Sequence, residues 1–156
     1  MSPSFRRAAF LVVVFSALVG GALAAETGAQ AVKVRQTQMK ALGAAGKVVG
    51  DQFRSGKPDP AIIRREADKF EAAARILPNL FPAGSGREAG VKTRALPAIW
   101  SDPSGFAAAV HRYAEAAGKA DAAAQKGDMA AVGGALSDLD HACNGCHDKY
   151  RAKEHG

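Results

Sequence analysis

Aromatic residues are scarce in this sequence: seven Phe, two Tyr and one Trp among 156 residues. Sheets favour aromatic and β-branched side chains, so this alanine- and glycine-rich chain suits close-packed helices better. Cysteine is scarcer still, with two residues near the C-terminus, which excludes a small disulfide scaffold. No glycine-rich phosphate loop and no Ser/His/Asp set stands out, so an enzyme is not expected. Lys and Arg exceed Asp and Glu by 21 to 15, a formal charge of +6. The basic residues are scattered, and no basic run is interleaved with aromatics, so nucleic acid is not an expected partner. A weak preference for acidic partner proteins remains. Beyond the N-terminus there is no apolar stretch of spanning length, so the mature chain is not expected to be membrane-embedded.

The first residues read as an address. Arg6 and Arg7 form a positive n-region, the stretch from Ala8 to Gly21 is uncharged, and Ala22-Leu23-Ala24 supplies a small-x-small cleavage pattern. This is a secretory signal peptide over 1–24, with cleavage after Ala24 or Ala25, leaving one domain over 25–156 and a periplasmic location. A retained anchor is the rival reading, but the apolar stretch is short of the roughly 20 residues a membrane span needs.

Four later stretches have helical periodicity. Val32, Met39, Leu42, Gly46, Val49 and Phe53 form the first stripe, with Arg35 or Gln36 filling a gap. Gly56-Lys57-Pro58 stops that helix, and Asp59-Pro60 starts the second as N-cap and first helical residue. Ile63, Ala67, Phe70, Ala74 and Leu77 make its stripe, ended by Pro78. Ser101-Asp102-Pro103 starts the third helix, with Phe106, Val110, Tyr113, Ala117, Ala120 and Ala124 on one face. Gly127 closes it and Asp128 caps the fourth, whose stripe runs Met129, Val132, Leu136, Leu139, Cys143, Cys146 and Tyr150. The expected fold is all-α: an antiparallel four-helix bundle with one long loop between helices two and three. That loop, 78–101, is broken by Pro and Gly yet carries Leu80, Phe81, Leu96, Ile99 and Trp100. It reads either as a surface connection with buried anchors or, preferably, as a flap over a cofactor. Arg87, Lys92 and Arg94 within 83–95 are either a docking patch or solvated charges.

Cys143-Asn144-Gly145-Cys146-His147 is C-x-x-C-H, the attachment sequence of c-type haem. Residues i, i+3 and i+4 share a helix face. Two thiols so placed reach two vinyl groups on one porphyrin edge, and the imidazole of His147 lands beneath the iron. One covalently attached haem c is therefore the expected cofactor. Three alternatives stand beside it; one, a pair of structural cysteines, would not explain His147. A redox disulfide would want a βαβ setting, absent here. A zinc site would need a further ligand from His141 or His155.

With these residues in view, the sequence resembles the class II c-type cytochromes, the cytochrome c′ family. The resemblance spans about residues 29 to 153. It rests on Cys143 to Arg151 near the C-terminus, on Leu77-Pro78-Asn79-Leu80-Phe81-Pro82 with Pro97-Ala98-Ile99-Trp100, and on Arg35-Gln36-Thr37-Gln38-Met39-Lys40. It implies an antiparallel four-helix bundle with the haem near one end. Members of that family form dimers through their first helices; the alanine-rich stripes leave monomer and homodimer both open here.

The same resemblance implies roles on the distal side. The position matching Met39 faces the iron, carrying Met in low-spin members and often an apolar residue in high-spin, five-coordinate ones. Met129 is about 27 Å from His147 along one helix at roughly 1.5 Å per residue, so a thioether ligand would be Met39; the alternative is a Met that merely fills core. Arg35 matches a residue that contacts a haem propionate, against the alternative of a solvated charge. Arg151 matches a basic residue frequent in the family. His111 is expected to be a surface residue, and His141 shares a helix with His147, so neither suits the sixth position. The leading expectation is a periplasmic one-electron carrier with His147/Met39-ligated iron, exchanging electrons with periplasmic or membrane-bound redox proteins. Its alternative is a high-spin protein that binds nitric oxide or carbon monoxide at the distal face.

Overall fold

Capping residues and glycines set the helix ends. The computed structural model describes residues 13–153, and side chains from Thr27 to Lys153. The expected signal peptide, 1–24, and His155 lie outside the residues whose side chains are described. Helix α1, Val13–Arg54, stops where Gly56 adopts φ 71° and returns its N–H to the Phe53 carbonyl at 3.1 Å. Asp59 then caps α2, Pro60–Ile76, by accepting from Ala61 N at 2.8 Å. Pro78 offers no N–H to continue the ladder, and the chain tightens into a 3₁₀ turn at Leu77–Leu80. A second 3₁₀ turn, Arg87–Ala89, and a single helical turn α3, Ala98–Ser101, follow in the long loop.

Asp102 caps α4, Pro103–Lys126, accepting from Gly105 N at 3.1 Å. Gly127, with φ 71°, ends α4. Asp128 accepts from Ala131 N at 3.0 Å and starts α5, Met129–Tyr150. The bundle is thus built from α1, α2, α4 and α5, as the periodicity predicts, and no strand longer than a single bridge occurs among the described residues.

The main core joins Val49 of α1, Ile63, Ala67 and Phe70 of α2, Val110, Tyr113 and Ala117 of α4, and Val132 and Leu139 of α5. Helix α4 buries a row of alanines, Ala109, Ala116, Ala117, Ala120, Ala123 and Ala124. Small side chains let neighbouring helices approach closely, which explains why α4 packs tightly on both α2 and α5. The Tyr113 hydroxyl, buried in this layer, donates to the Phe70 carbonyl at 3.1 Å, so its polar end is satisfied.

One member of the first stripe is displaced. Gly46 is exposed, and Ala45 takes the buried position. Ala45, four residues before the buried Val49, shares its face; which of the i−3 and i−4 neighbours turns inward is set by what packs against α1. Of the two candidates for the gap in that stripe, Arg35 is buried and Gln36 exposed.

The close helix pairs are α1–α2, α2–α4 and α4–α5. The fourth side of the bundle, between α5 and α1, closes at one end, where the Phe53 ring lies 3.6 Å from a Cβ built on Gly133. At the other end the long loop spans from α1 to the exit of α5. This is the end that carries Arg35, Met39 and the C-x-x-C-H sequence.

Candidate haem site

The two thiols sit one turn apart on α5, both free and both half-buried. Cys143 borders the main core, and Cys146 borders a second cluster made by Ile99, Ala109 and Tyr150. Burial, then the nearby Asp140 and Cys146, push the Cys143 thiol up to about 11. Burial also raises Cys146, against the lowering influence of Arg112 and Arg151. Redox-active C-x-x-C pairs have depressed thiol pKa values, so this pair has the opposite character. His147, half-buried on the same face, is pushed down by burial and then by Arg151 and Arg94, with Asp148 opposing. That favours the neutral imidazole, the form that ligates a metal. Among the described residues no group of three or more His, Cys, Asp or Glu is gathered for a metal ion, which leaves the zinc alternative without its further ligands there.

Across from α5, Met39 on α1 is half-buried and packs against the same core that Cys143 borders. The structure thus brings Met39 and Cys143 to the margin of one apolar cluster. Met129 borders that cluster too, from the first turn of α5.

Arg35 is not a solvated charge; it is 4% exposed. Nη1 donates to Leu80 O and Ser85 Oγ, both at 3.1 Å, and Nη2 to Ser85 O at 3.0 Å and Thr93 Oγ1 at 2.9 Å. The guanidinium carbon lies 4.7 Å from the centroid of the Phe81 ring. All four acceptors are neutral, and burial alone lowers the Arg35 pKa. A buried cation without a counter-charge is costly, so an anionic group beside it would be stabilising.

The loop is bound on its other limb as well. Ala95 forms an antiparallel bridge with Arg151, Leu96 N donates to Tyr150 O at 3.0 Å, and Ala152 N to Arg94 O at 2.8 Å. Arg94 Nε adds a bond to Ala152 O at 2.8 Å. Trp100 Nε1 donates to Phe81 O at 3.1 Å, drawing the two ends of the loop together. Phe81, Phe106 and Tyr150 stack edge to face, with centroids 4.9 and 5.2 Å apart. The loop is therefore a fastened cover across one end of the bundle rather than a free surface connection. In 83–95, Arg87 and Lys92 are exposed, whereas Arg94 is drawn into the fastening.

Sequence reasoning passed over Ser85 and Thr93. Ser85 is wholly buried and also donates to Pro82 O at 2.7 Å. A serine among glycines carries no periodic signal, so only the tertiary contact with Arg35 reveals it. His111 is exposed, as expected, and His141 is exposed as well. The Arg151 side chain is exposed while its main chain joins the bridge.

The family model described as Cytochrome C′ matches residues 30–151. This chain belongs to the cytochrome c′ family. It is therefore a class II c-type cytochrome, a family that carries covalently attached haem c. The chain is 38% identical over 110 residues to cytochrome c-554 of Cereibacter sphaeroides, covering 70% of this chain and 71% of the relative. It superposes on the cytochrome c′ of Thermochromatium tepidum with a TM-score of 0.75 at 26% identity, covering 81% of this chain and 97% of the other. Variants of the Alcaligenes xylosoxidans cytochrome c′ are similar as well. One, in complex with nitric oxide, matches with a TM-score of 0.73 at 26% identity, over 81% of this chain and 97% of that one. Another, with carbon monoxide bound, matches with a TM-score of 0.71 at 27% identity, over 79% and 94%.

The residues present fit a c-type haem. The donor set has two protonated thiols and a neutral imidazole on one helix face. Arg35 offers an uncompensated buried charge, and the α1–α5 side of the bundle is the one not closed by close helix packing at this end. No helix among the described residues is long and apolar enough to cross a membrane.

Proposed function

We propose that this cytochrome c′ binds a small diatomic ligand, nitric oxide or carbon monoxide, at its distal haem face, as an exported protein of the periplasm. The observation that carries this reading is the likeness to variants of the Alcaligenes xylosoxidans cytochrome c′ in complex with nitric oxide and with carbon monoxide. On this reading Cys143 and Cys146 hold the haem through thioethers, and His147 is the proximal ligand. Met39 borders the distal face, and Arg35 offers its charge to a propionate. Bound haem iron supplies a coordination position for the diatomic ligand and a one-electron couple. The chain's own part is to hold the imidazole neutral and to shield the distal side with apolar side chains. The role is binding and not catalysis.

The comparisons favour this reading over the leading sequence expectation, a low-spin carrier. That second reading keeps one observation in its support: Met39 stands half-buried at the core margin that Cys143 shares. One experiment separates the two. Absorption spectra of the haem-loaded protein, ferric and ferrous, are recorded with and without carbon monoxide, beside Met39→Ala. A high-spin spectrum that carbon monoxide shifts in the wild type is the expected result. A low-spin spectrum with a sulfur-to-iron charge-transfer band, insensitive to carbon monoxide until Met39 is replaced, would establish the electron carrier instead.

A further inference from the structure

We propose that Thr93 is a positioning residue that couples α1 to the haem-binding helix α5 and so sets the room on the distal side. This rests on the ligand-binding reading above. The Thr93 Oγ1 accepts from Arg35 Nη2 at 2.9 Å and from Ala95 N at 3.2 Å. On one side, Arg35 belongs to α1, one turn before Met39. On the other, Ala95 is bridged to Arg151, one turn after His147, with the Leu96–Tyr150 and Ala152–Arg94 bonds flanking it. The Thr93 hydroxyl oxygen is therefore a direct link between the helix that bears Met39 and the loop segment fastened to the helix that bears His147.

Two features make this junction mechanical rather than incidental. Close packing runs α1–α2–α4–α5, so at this end α1 and α5 are held relative to each other through the loop. The bond to Thr93 also comes from a buried guanidinium, and hydrogen bonds with a charged partner are the stronger kind. Gln36 Nε2, donating to Lys92 O at 2.9 Å, draws the same part of the loop onto α1. Ser85 is the useful contrast. It accepts from Arg35 as well, but its other partner is Pro82, within its own limb of the loop. Loss of the Ser85 hydroxyl loosens Arg35 without touching the attachment to α5.

The test compares haem-loaded wild type with Thr93→Val, Thr93→Ser and Ser85→Ala, by residue-resolved amide hydrogen exchange and by carbon monoxide association. Thr93→Val keeps the shape and removes the acceptor. It is expected to speed exchange about tenfold at residues 36–40 and also at Leu96 and Ala152, the loss of one charge-assisted bond. Carbon monoxide association is expected to rise by about threefold or more. Thr93→Ser should restore wild-type values, and Ser85→Ala should leave Leu96 and Ala152 unchanged. Thr93→Ala carries the same expectation if the valine variant does not fold. Faster exchange confined to residues 92–95, or a serine variant that behaves like valine, would overturn the coupling. A wild type that binds no carbon monoxide would remove the ligand-binding reading instead, and the exchange pattern alone would then decide the coupling.

Discussion

The guanidinium of Arg35 lies over the ring of Phe81, 4.7 Å from its centroid, while its four hydrogen bonds reach the loop from Leu80 to Thr93. One side chain of the first helix thereby fastens a loop of some fifteen residues. Arg35→Ala leaves the carbonyls of Leu80 and Ser85 and two hydroxyls short of a donor, and is expected to cost about 2–4 kcal/mol. Arg35→Lys keeps the charge but loses the planar fork, and should recover only part of that loss. Urea denaturation of the haem-loaded proteins measures both. An Arg35→Ala variant as stable as wild type would show that the loop is held without it.

Gly105 is the tightest point of the opposite fastening. A Cβ there would lie 2.2 Å from Asp102 Oδ2 and 2.7 Å from the Tyr150 hydroxyl. Gly105→Ala must displace the cap of α4 or the aromatic ring of the last residue of α5, at about 1–3 kcal/mol. The helix propensity of alanine would otherwise favour the substitution, by about 1 kcal/mol, so a net destabilisation in thermal melts is diagnostic of the clash.

Asp102 predicts a pH dependence. Its carboxylate accepts from Lys149 at 2.6 Å, Gly105 N at 3.1 Å and Tyr150 at 3.1 Å. The Lys149 bond first, then those from Gly105 and Tyr150, hold its pKa below the ordinary carboxylate range. A group with a depressed folded pKa contributes stability that is present above its unfolded value, about 3.9, and lost as the pH falls through the folded one. The wild type should therefore lose this contribution only below about pH 4. Asp102→Asn should be less stable at neutral pH and flatter across the acid window. Chemical denaturation at pH 7 and at acid pH reads the difference, and identical slopes for both proteins would contradict it.

The attachment itself is tested by removal of the thiols. Cys143→Ala and Cys146→Ala should each leave haem held by one thioether, and the double variant should release all of it under denaturing extraction. Haem staining after denaturing electrophoresis reads the outcome. Covalent haem persisting in the double variant would exclude these two cysteines as the attachment points.

Much of this architecture was written locally. Asp59, Asp102 and Asp128 cap α2, α4 and α5 because a carboxylate can reach backbone N–H groups a few residues on, and Gly56 and Gly127 end helices because they accept positive φ without strain. The C-x-x-C-H spacing is equally local: helical pitch alone places two thiols and an imidazole on one face. By itself, then, the sequence determined the helices, their caps and the haem-attachment face, since each depends on residues within one or two turns. Only the tertiary structure decided the course of the loop, because its fastening joins groups far apart in the chain: Arg35 to Ser85 and Thr93, Ala95 to Arg151, Trp100 to Phe81. It alone decided that Arg35 is buried rather than solvated and that Ala45 faces inward in place of Gly46. The burial of a side chain depends on what folds over it, and no periodicity within the helix carries that information.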